Sequence, residues 1–387
     1  MTNSPDEVEF GRRAAPPDPA TTTGKPASEA LREQQSTART PRRSRHSRNR
    51  FIVFFNVLIS LCVLAAIAAV VALWVGRYEF NAPGPTTETR TFLVKPNSGW
   101  QSISNGLEEQ GLISNALFFR GGLKAVGRGL EPKAGEYEIK PGASMREIMD
   151  IIASGKSILY SITLPEGLTV EQALQRIAAM PELSGEMPAD IPAEGMLAAD
   201  TLRFTRGTER KVIVDKMVNH QKQLVEEIWA KRDPNLPLKD INEFVTLASI
   251  VEKETGIAEE RPLVAAVFIN RLNKGMRLQS DPTILYGLFG GQGRPADRPI
   301  FQSDIQKPTP YNTYVIDGLP PTPIANPGRA ALEAVANPPK TDDLYFVASG
   351  DGGHVFAKTL EEHNKNVARW RALRKQQQQT DEAPQQQ

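Results

Sequence analysis

Two glutamates at the end of an apolar helix pattern are the residues of this sequence best suited to acid–base chemistry. Glu252 and Glu254 close the stretch that runs from Leu247 to Gly256. Residues two apart on a helix project to opposite flanks, so the two carboxyl groups cannot share one pocket. A carboxyl group at the edge of a buried stripe has a raised pKa, which suits a general acid. The ordinary alternative is a solvated helix end, and Lys253 between the two acids fits that alternative.

The helix that carries these glutamates is predicted from its capping residues and its periodicity. Asp240 is the expected N-cap, and Glu243 three residues later completes a D-x-x-E variant of the capping box. Gly256 is the expected C′ residue at the other end. Apolar residues recur between them at helical spacing: Phe244, Leu247, Ala248 and Val251.

Composition excludes several classes of function. The 387 residues carry a formal net charge of +1, so no global field attracts nucleic acid and no nucleic-acid partner is expected. The single cysteine, Cys62, cannot form an intramolecular disulfide or a cysteine-based metal cluster. The four histidines lack the spacing of a zinc enzyme. We therefore expect neither a metal nor a cofactor.

The N-terminal part has the pattern of a signal anchor. Residues 1–50 are polar and Pro-rich and are predicted to be a disordered cytoplasmic tail. The uncharged apolar run 51–75 exceeds the length needed to cross a bilayer, so a transmembrane helix is predicted there. Arginines precede the run and place the N-terminus in the cytoplasm. An Ala-Ile-Ala sequence resembles a signal-peptidase site but lies inside an apolar region too long for a signal peptide.

A linker over 76–90 leads to a weak internal repeat within residues 91–180. Strands predicted at 91–95, 136–140 and 157–164 are each followed by a Pro/Gly turn and a helix, and two of these helices begin with capping boxes. The capping boxes are Ser144-x-x-Glu147 and Thr169-x-x-Gln172. Such a module either binds sugar polymers or serves as a spacer, and both interpretations remain open.

The rest of the chain alternates helices with one long irregular tract. Residues 181–195 are predicted to be a boundary loop, and helices are predicted over 209–231, 258–274 and 360–373. Glu259 and Glu260 lie in the first turn of the helix 258–274, where they are expected to interact with the helix dipole. The hairpin strands are 344–348 and 354–357, and 374–387 is a predicted disordered tail. The tract 276–328 is rich in Gly, Pro, amides and Tyr, which is typical of a carbohydrate groove.

The motifs together resemble the YceG-like family of endolytic murein transglycosylases. The resemblance covers about Thr91 to Trp370. The matching stretches are A-S-I-V-E-K-E-T (Ala248 to Thr255), V-F-I-N-R-L (Val267 to Leu272), G-M-R-L-Q-S-D-P-T (Gly275 to Thr283), Y-N-T-Y (Tyr311 to Tyr314), G-L-P-P-x-P-I-x-N-P-G (Gly318 to Gly328) and Y-F-V…G-G-H-x-F (Tyr345 to Phe356).

The resemblance implies an α+β fold with a small LysM-like module over 91–180 and a mixed α/β catalytic domain with a loop-rich groove over 195–373. It implies that Glu252 is the catalytic residue and that Glu254 and Asp281 are structural or supporting. The implied substrate-binding residues are Gln279, Ser280, Tyr311, Asn312 and Tyr314. One segment, Gly195 to Leu202, departs from the family pattern of G-x-L-F-P-D-T-Y because its aromatic and proline positions are replaced.

The activity implied is cleavage of the MurNAc–GlcNAc bond of nascent peptidoglycan strands, which leaves 1,6-anhydro ends. Glu252 would act first as acid and then as base. The implied place is the bacterial inner membrane with the catalytic domain in the periplasm, and the implied partners are the glycan strand, the bilayer through 51–75, and penicillin-binding proteins or other wall synthases. Two alternatives stay open. A hydrolytic muramidase would use Asp281 or Asp304 as a second carboxylate, and a scaffold would bind peptidoglycan without cutting it.

Overall fold

The computed structural model describes residues 50–126, 129–295 and 298–381, without the side chains of 378–381. The tail predicted over 1–50 lies almost wholly outside these residues, as does the end of the tail predicted over 374–387. The chain divides into two units, Met1–Ala72 and Leu73–Gln387. Helix and strand are mixed, and the described strands form three separate two-stranded sheets.

The first described element is a long apolar helix, α1 (Arg50–Asn81). Its 32 residues span about 48 Å, more than the roughly 30 Å hydrocarbon core of a bilayer. By length and composition it is able to cross a membrane. It also continues past the predicted end at Val75 into the predicted linker. The remaining linker is ordered, because Gly84 N–H donates to the Gly142 carbonyl at 3.1 Å.

The next elements form a small α+β module: β1 (Arg90–Val94), α2 (Trp100–Glu109), α3 (Ala116–Val126), β2 (Gly135–Ile139) and α4 (Met145–Ser154). β1 and β2 pair antiparallel and turn Phe92 and Tyr137 into the core. The capping box at Ser144 forms as predicted. Helix α3 was not predicted. Its Gly121-Gly122 pair weakens the helical pattern, yet a side chain at Gly122 would collide with the Phe80 ring. The LysM-like assignment stays a prediction.

A second small sheet crosses the predicted boundary at residue 180. β3 (Leu159–Thr163) leads into α5 (Val170–Ala178), whose capping box at Thr169 forms as predicted, and β3 pairs antiparallel with β4 (Thr201–Thr205). β4 was not predicted. Glu136 of β2 accepts a hydrogen bond from Arg206 at 2.6 Å and another from Tyr160 of β3, so the two small sheets are linked directly.

Four helices build the largest core: α6 (Arg210–Ala230), α7 (Ile241–Glu254), α8 (Arg261–Asn273) and α11 (Arg329–Ala336). The predicted stripe of α7 is buried, and all four of its residues have 0% exposure. The tract between α8 and α11 is less irregular than predicted, since it contains α9 (Asp281–Phe289), a 3-10 turn (Gly290–Gln292) and α10 (Gln302–Gln306).

The chain closes with a hairpin, β5 (Tyr345–Ala348) and β6 (His354–Ala357), and the helix α12 (Leu360–Asp381). Helix α12 continues beyond the predicted end at Leu373. Glu260, the N-cap residue of α8, binds this hairpin: its carboxylate accepts from the backbone N–H of His354 at 2.7 Å and lies 2.7 Å from His354 Nδ1. The prediction that Glu260 serves only as a dipole partner therefore missed this contact.

Candidate active site

The end of α7 brings three charged side chains out of the core. Asp240 caps the helix as predicted, since its carboxylate accepts the Glu243 N–H at 2.9 Å. The Glu243 carboxylate binds the N–H of Lys239, one residue outside the predicted capping box. The helix ends at Glu254 with Thr255 extended, and Gly256 does not take the positive φ expected of a C′ residue. Glu252 and Glu254 then diverge, as their spacing requires.

Glu252 points to a flank made of two glycine-containing turns, which we call the Glu252 flank. Its Oε2 accepts the backbone N–H of Gly328 at 3.1 Å, and Gly328 is the N-cap residue of α11. The Cγ of Glu252 also lies 3.7 Å from the position a Cβ would take on Gly167. Burial raises the pKa of Glu252, the Gly328 hydrogen bond opposes that rise, and the neighbouring Glu166 adds to it. The side chain is half-buried.

Glu254 points to a polar cluster at the start of α9, which we call the Glu254 flank. Its Oε1 accepts a hydrogen bond from Ser280 Oγ. Burial and, to a smaller extent, the negative charge of Asp281 raise the pKa of Glu254 to about 7, against the opposing effects of the Ser280 hydrogen bond and Arg271. A carboxyl group with this pKa is partly protonated at neutral pH, which a general acid requires.

Arg271 organises the backbone of the Glu254 flank. This side chain has 7% exposure and donates to the carbonyl oxygens of Leu344 at 2.6 Å and Leu278 at 2.9 Å, and to Gln279 Oε1 at 3.3 Å. Gln279 adopts a φ of 52°, a conformation that is uncommon for a residue other than glycine. The guanidinium group therefore fixes the turn from which Ser280 reaches Glu254.

Two of the predicted substrate-binding residues are buried. Ser280 and Asn312 each have 1% exposure. Asn312 Nδ2 donates to the carbonyl oxygens of Ile305 at 2.9 Å and Lys307 at 2.8 Å, and Asn312 Oδ1 accepts the Tyr314 N–H at 3.0 Å. In this conformation Asn312 shapes the loop instead of offering its amide to solvent.

The other predicted binding residues are more accessible. Gln279 is exposed and Tyr311 and Tyr314 are half-buried. Tyr314 Oη donates to the exposed carboxylate of Asp281 at 2.8 Å. Tyr311 Oη lies 2.7 Å from Thr322 Oγ1, and its ring meets that of Tyr286 edge-on with centroids 4.9 Å apart. Gln279, Ser280, Asp281 and Tyr314 thus gather on the Glu254 flank.

Asp304, the other carboxylate considered for a hydrolytic mechanism, is committed to a structural contact. It has 5% exposure, and its Oδ1 accepts from Arg298 at 2.9 Å. These hydrogen bonds lower the pKa of Asp304. Among the described residues, no group of three His, Cys, Asp or Glu side chains is placed to hold a metal ion.

The segment that departs from the family pattern packs beneath the Glu252 flank. Gly195 has a φ of 82°, and a side chain there would lie 2.8 Å from Pro323 and Val245. The Leu197 N–H donates to Asn326 Oδ1 at 2.9 Å, and the buried Gln221 amide donates to the carbonyl oxygens of Gly195 and Pro327. The replaced side chains therefore leave these backbone contacts in place.

Arg271 and the pair of Glu194 and Tyr286 were missed as functional candidates. Tyr286 Oη donates to Glu194 Oε2 at 3.1 Å, and burial raises the pKa of Glu194. Arg271 lies in the V-F-I-N-R-L stretch, whose local pattern does not distinguish a buried arginine from an exposed one. Its buried position follows from contacts with residues about 70 positions away, for which a local pattern gives no signal.

The sequence matches known proteins. Residues 92–369 match the YceG-like family. A Bacillus subtilis protein named endolytic murein transglycosylase is 31% identical over 70% of this chain and 82% of its own length. A Streptococcus pneumoniae protein of the same name is 30% identical over 71% of this chain, which spans 57% of that longer protein.

A crystal structure of a yceG-like protein from Listeria monocytogenes is 32% identical over 72% of this chain and 98% of that one, with a TM-score of 0.45. The family match extends from β1 into α12 and includes Glu252 and Glu254 at the end of α7. On these grounds the chain belongs to the YceG-like family.

Proposed function

We propose that this chain is a lytic transglycosylase, a lyase that cleaves the glycan strands of peptidoglycan. The observation that carries the proposal is a half-buried carboxyl group, Glu254, whose pKa of about 7 keeps a proton available at neutral pH. Relatives that share about 30% of their residues with this chain are named endolytic murein transglycosylases. The acid chemistry and the relatives' names point to the same reaction.

The geometry favours Glu254 over Glu252 as the general acid. Glu252 accepts the N-cap amide of α11, and a helix N-terminus stabilises a carboxylate in its charged form. Each carboxyl group has an acidic neighbour that favours its protonated form, Glu166 for Glu252 and Asp281 for Glu254, but burial of Glu254 raises its pKa to about 7. The predicted groove residues Gln279 and Tyr314 also lie on its flank. We therefore propose Glu254 as the acid, and we propose that Glu252 anchors the turn before α11. Variants of both residues also test the alternative, motif-based assignment of the catalytic role to Glu252.

The proposed reaction needs one carboxyl group in two states. Glu254 gives its proton to the oxygen between N-acetylmuramic acid and N-acetylglucosamine, and that C–O bond breaks. The substrate's own N-acetyl group stabilises the oxocarbenium-like carbon. The Glu254 carboxylate then takes the proton of the muramyl 6-hydroxyl, whose oxygen bonds to C1 and forms the 1,6-anhydro ring. No water is consumed, so the second carboxylate of a hydrolase is unnecessary.

Neighbouring groups support these two states. Ser280 Oγ holds the Glu254 carboxyl in place, and Arg271 holds the turn that carries Ser280. Gln279 and Tyr314 are proposed to contact sugar hydroxyl and N-acetyl groups, and Tyr311 to offer its ring face. We propose positioning roles for Ser280 and Asn312, because both are buried.

We further propose that α1 anchors the enzyme in the inner membrane, with the N-terminus in the cytoplasm and the catalytic domain in the periplasm. The length and apolar character of α1 support the anchor, and the arginines before it support the orientation. An anchored enzyme meets glycan strands as they leave membrane-bound wall synthases, which are the protein partners we propose.

Product analysis tests the proposed reaction. Purified full-length protein in detergent is incubated with peptidoglycan strands, and the new ends are identified by mass spectrometry. The expected products carry 1,6-anhydro ends. Reducing ends would indicate a hydrolase that uses Asp281, the carboxylate that lies beside Glu254. Binding without any new ends would leave the scaffold interpretation.

A further inference from the structure

A cavity beside α9 is not used by the proposed reaction. It encloses about 290 Å³ between the start of α5, the end of α7, α9 and the turn that follows α9. We call it the α9 cavity. The residues that define its character are Thr169, Gln172, Lys253, Leu285, Arg294 and Ile324.

Two cationic side chains line this cavity. Lys253 Nζ donates to the Gly167 carbonyl at 3.1 Å, and within residues 50–126, 129–295 and 298–381 neither Lys253 nor Arg294 forms an ion pair. Nearby arginines are paired: Arg277 binds Asp317 and Arg298 binds Asp304, each at 2.9 Å. The α9 cavity therefore presents two positively charged side chains, of which Lys253 also interacts electrostatically with the neighbouring Glu252, and this lining favours an anionic ligand.

The size and lining of the cavity restrict that ligand. Pockets for whole small molecules commonly measure about 300–1,000 Å³, so this one suits a single residue-sized group better than a disaccharide. Leu285 and Ile324 supply apolar wall, while Thr169 and Gln172 supply neutral hydrogen-bonding groups. A short carbon chain that ends in a carboxylate matches this combination.

The cavity adjoins the catalytic groups through the chain itself. Lys253 lies between Glu252 and Glu254, and Pro282, another lining residue, follows Asp281. The cavity touches both flanks, because Lys253 Nζ donates to the Gly167 carbonyl of the Glu252 flank and Pro282 adjoins Asp281 of the Glu254 flank. A glycan bound beside either glutamate would place its substituents near the cavity. The muramyl sugar of peptidoglycan carries a short peptide with free carboxylates.

We propose that the α9 cavity binds a free carboxylate of the peptide on the muramyl unit at the cleavage site, through Lys253 and Arg294. This rests on the proposed function. A lipid-linked diphosphate is another anion on nascent strands, but it occurs only at a strand end. An enzyme that cuts within strands meets a peptide carboxylate at each muramyl unit, so the carboxylate is the ligand we infer.

A binding measurement tests the site independently of cleavage. The probe is a disaccharide-peptide with the muramyl sugar at its reducing end, which contains no cleavable MurNAc–GlcNAc bond. Its affinity for the full-length protein is measured by calorimetry and compared with that of the same probe with its carboxylates converted to amides. We expect the acid form to bind roughly three- to tenfold more tightly, and that preference to weaken with added salt.

The variants complete a thermodynamic cycle. Lys253→Gln with Arg294→Gln should abolish the preference for the acid form, while Lys340→Gln, an exposed lysine outside the cavity lining, should retain it. Equal affinity of wild type for both probes would overturn the proposal. So would displacement of the probe by inorganic diphosphate without discrimination between acid and amide, which would indicate a diphosphate site. Absence of cleavage on full strands, by contrast, would refute the proposed function and leave this binding result unaffected.

Discussion

The two flanks of the last turn of α7 carry the same side chain in opposite settings. On the Glu252 flank, the carboxylate meets a backbone N–H at the start of a helix. On the Glu254 flank, it meets a serine hydroxyl and the charge of a second acid. Burial raises the pKa of both carboxyl groups, and a neighbouring acid, Glu166 or Asp281, adds to each rise; the pKa of Glu254 reaches about 7.

The difference shows how two glutamates separated by one residue can take different tasks. A group whose charged form receives an amide hydrogen bond at a helix N-terminus is stabilised as the carboxylate, and is suited to holding structure. A group that retains its proton to about pH 7 can donate it and recover it. The local sequence is nearly symmetric around Lys253, so the distinction arises from the loops packed against each flank.

The largest expected effect is the difference in cleavage rate between a variant of Glu254 and a variant of Glu252. Glu254→Gln should lower kcat/KM on peptidoglycan strands by about 10²–10⁴, because the amide cannot donate or accept the proton. Glu252→Gln should lower it less, since an amide oxygen can still accept the Gly328 N–H. Steady-state rates with product analysis measure both.

The control for this pair is Glu259→Gln, an exposed acid before α8 that should leave the rate unchanged. Circular dichroism would verify that each variant is folded. The roles we assign would have to be exchanged if Glu252→Gln removed activity and Glu254→Gln retained it.

A smaller effect should appear in the pH dependence of stability. The folded-state pKa of Glu254, about 7, lies above the roughly 4.3 of an unfolded glutamate. Between these values the folded protein binds more protons than the unfolded chain, so this group's contribution to stability falls as pH rises through that window. Glu254→Gln removes the dependence. As pH rises from 5 to 8, the free energy of unfolding of the variant should therefore increase by about 1–3 kcal/mol relative to that of wild type.

Chemical unfolding at several pH values measures this gain, and Glu259→Gln serves again as the matched exposed substitution. A difference between wild type and Glu254→Gln that stays constant with pH would show that the carboxyl group is ionised throughout.

The smallest effect concerns the charge beside the acid. Asp281→Asn removes a negative charge that raises the pKa of Glu254. The basic limb of the pH–kcat/KM profile should therefore move to lower pH, by less than about one unit because Asp281 is exposed. A shift toward higher pH would contradict the proposed coupling. Tyr314→Phe keeps the Asp281 charge and removes its hydrogen bond, so it should move the limb to higher pH or leave it in place.

Much of the fold follows from local patterns in the sequence. The capping residues Ser144, Thr169 and Asp240 begin helices where the pattern placed them, because a side-chain cap is a contact over three residues. Helix α3 and strand β4 were missed for the opposite reason. Gly122 of α3 makes room for the Phe80 ring, and β4 is specified by its pairing with β3, about 40 residues earlier.

The candidate site divides in the same way. The sequence marks the turn of α7 and the opposite directions of its two acids. The family resemblance points to Glu252, but the local pattern alone does not rank Glu252 against Glu254, because Ser280 and Gly328 reach them from distant loops. Nor could the sequence show that the Asn312 side chain hydrogen-bonds to backbone carbonyl oxygens, since an exposed and a buried asparagine have the same sequence pattern in a loop.

Helix α8 is fastened to the C-terminal hairpin region at both of its ends. At one end, the Glu260 carboxylate accepts a hydrogen bond from the His354 N–H. At the other end, Asn270 and Arg271 donate hydrogen bonds to backbone carbonyl oxygens of residues 341–344. The same guanidinium group supports the turn that carries Ser280. The hairpin is itself packed on the helical core through Phe346 and Phe356. Arg271 therefore couples three parts of the molecule, since one guanidinium group joins α8, the segment before the hairpin and the turn beneath Ser280.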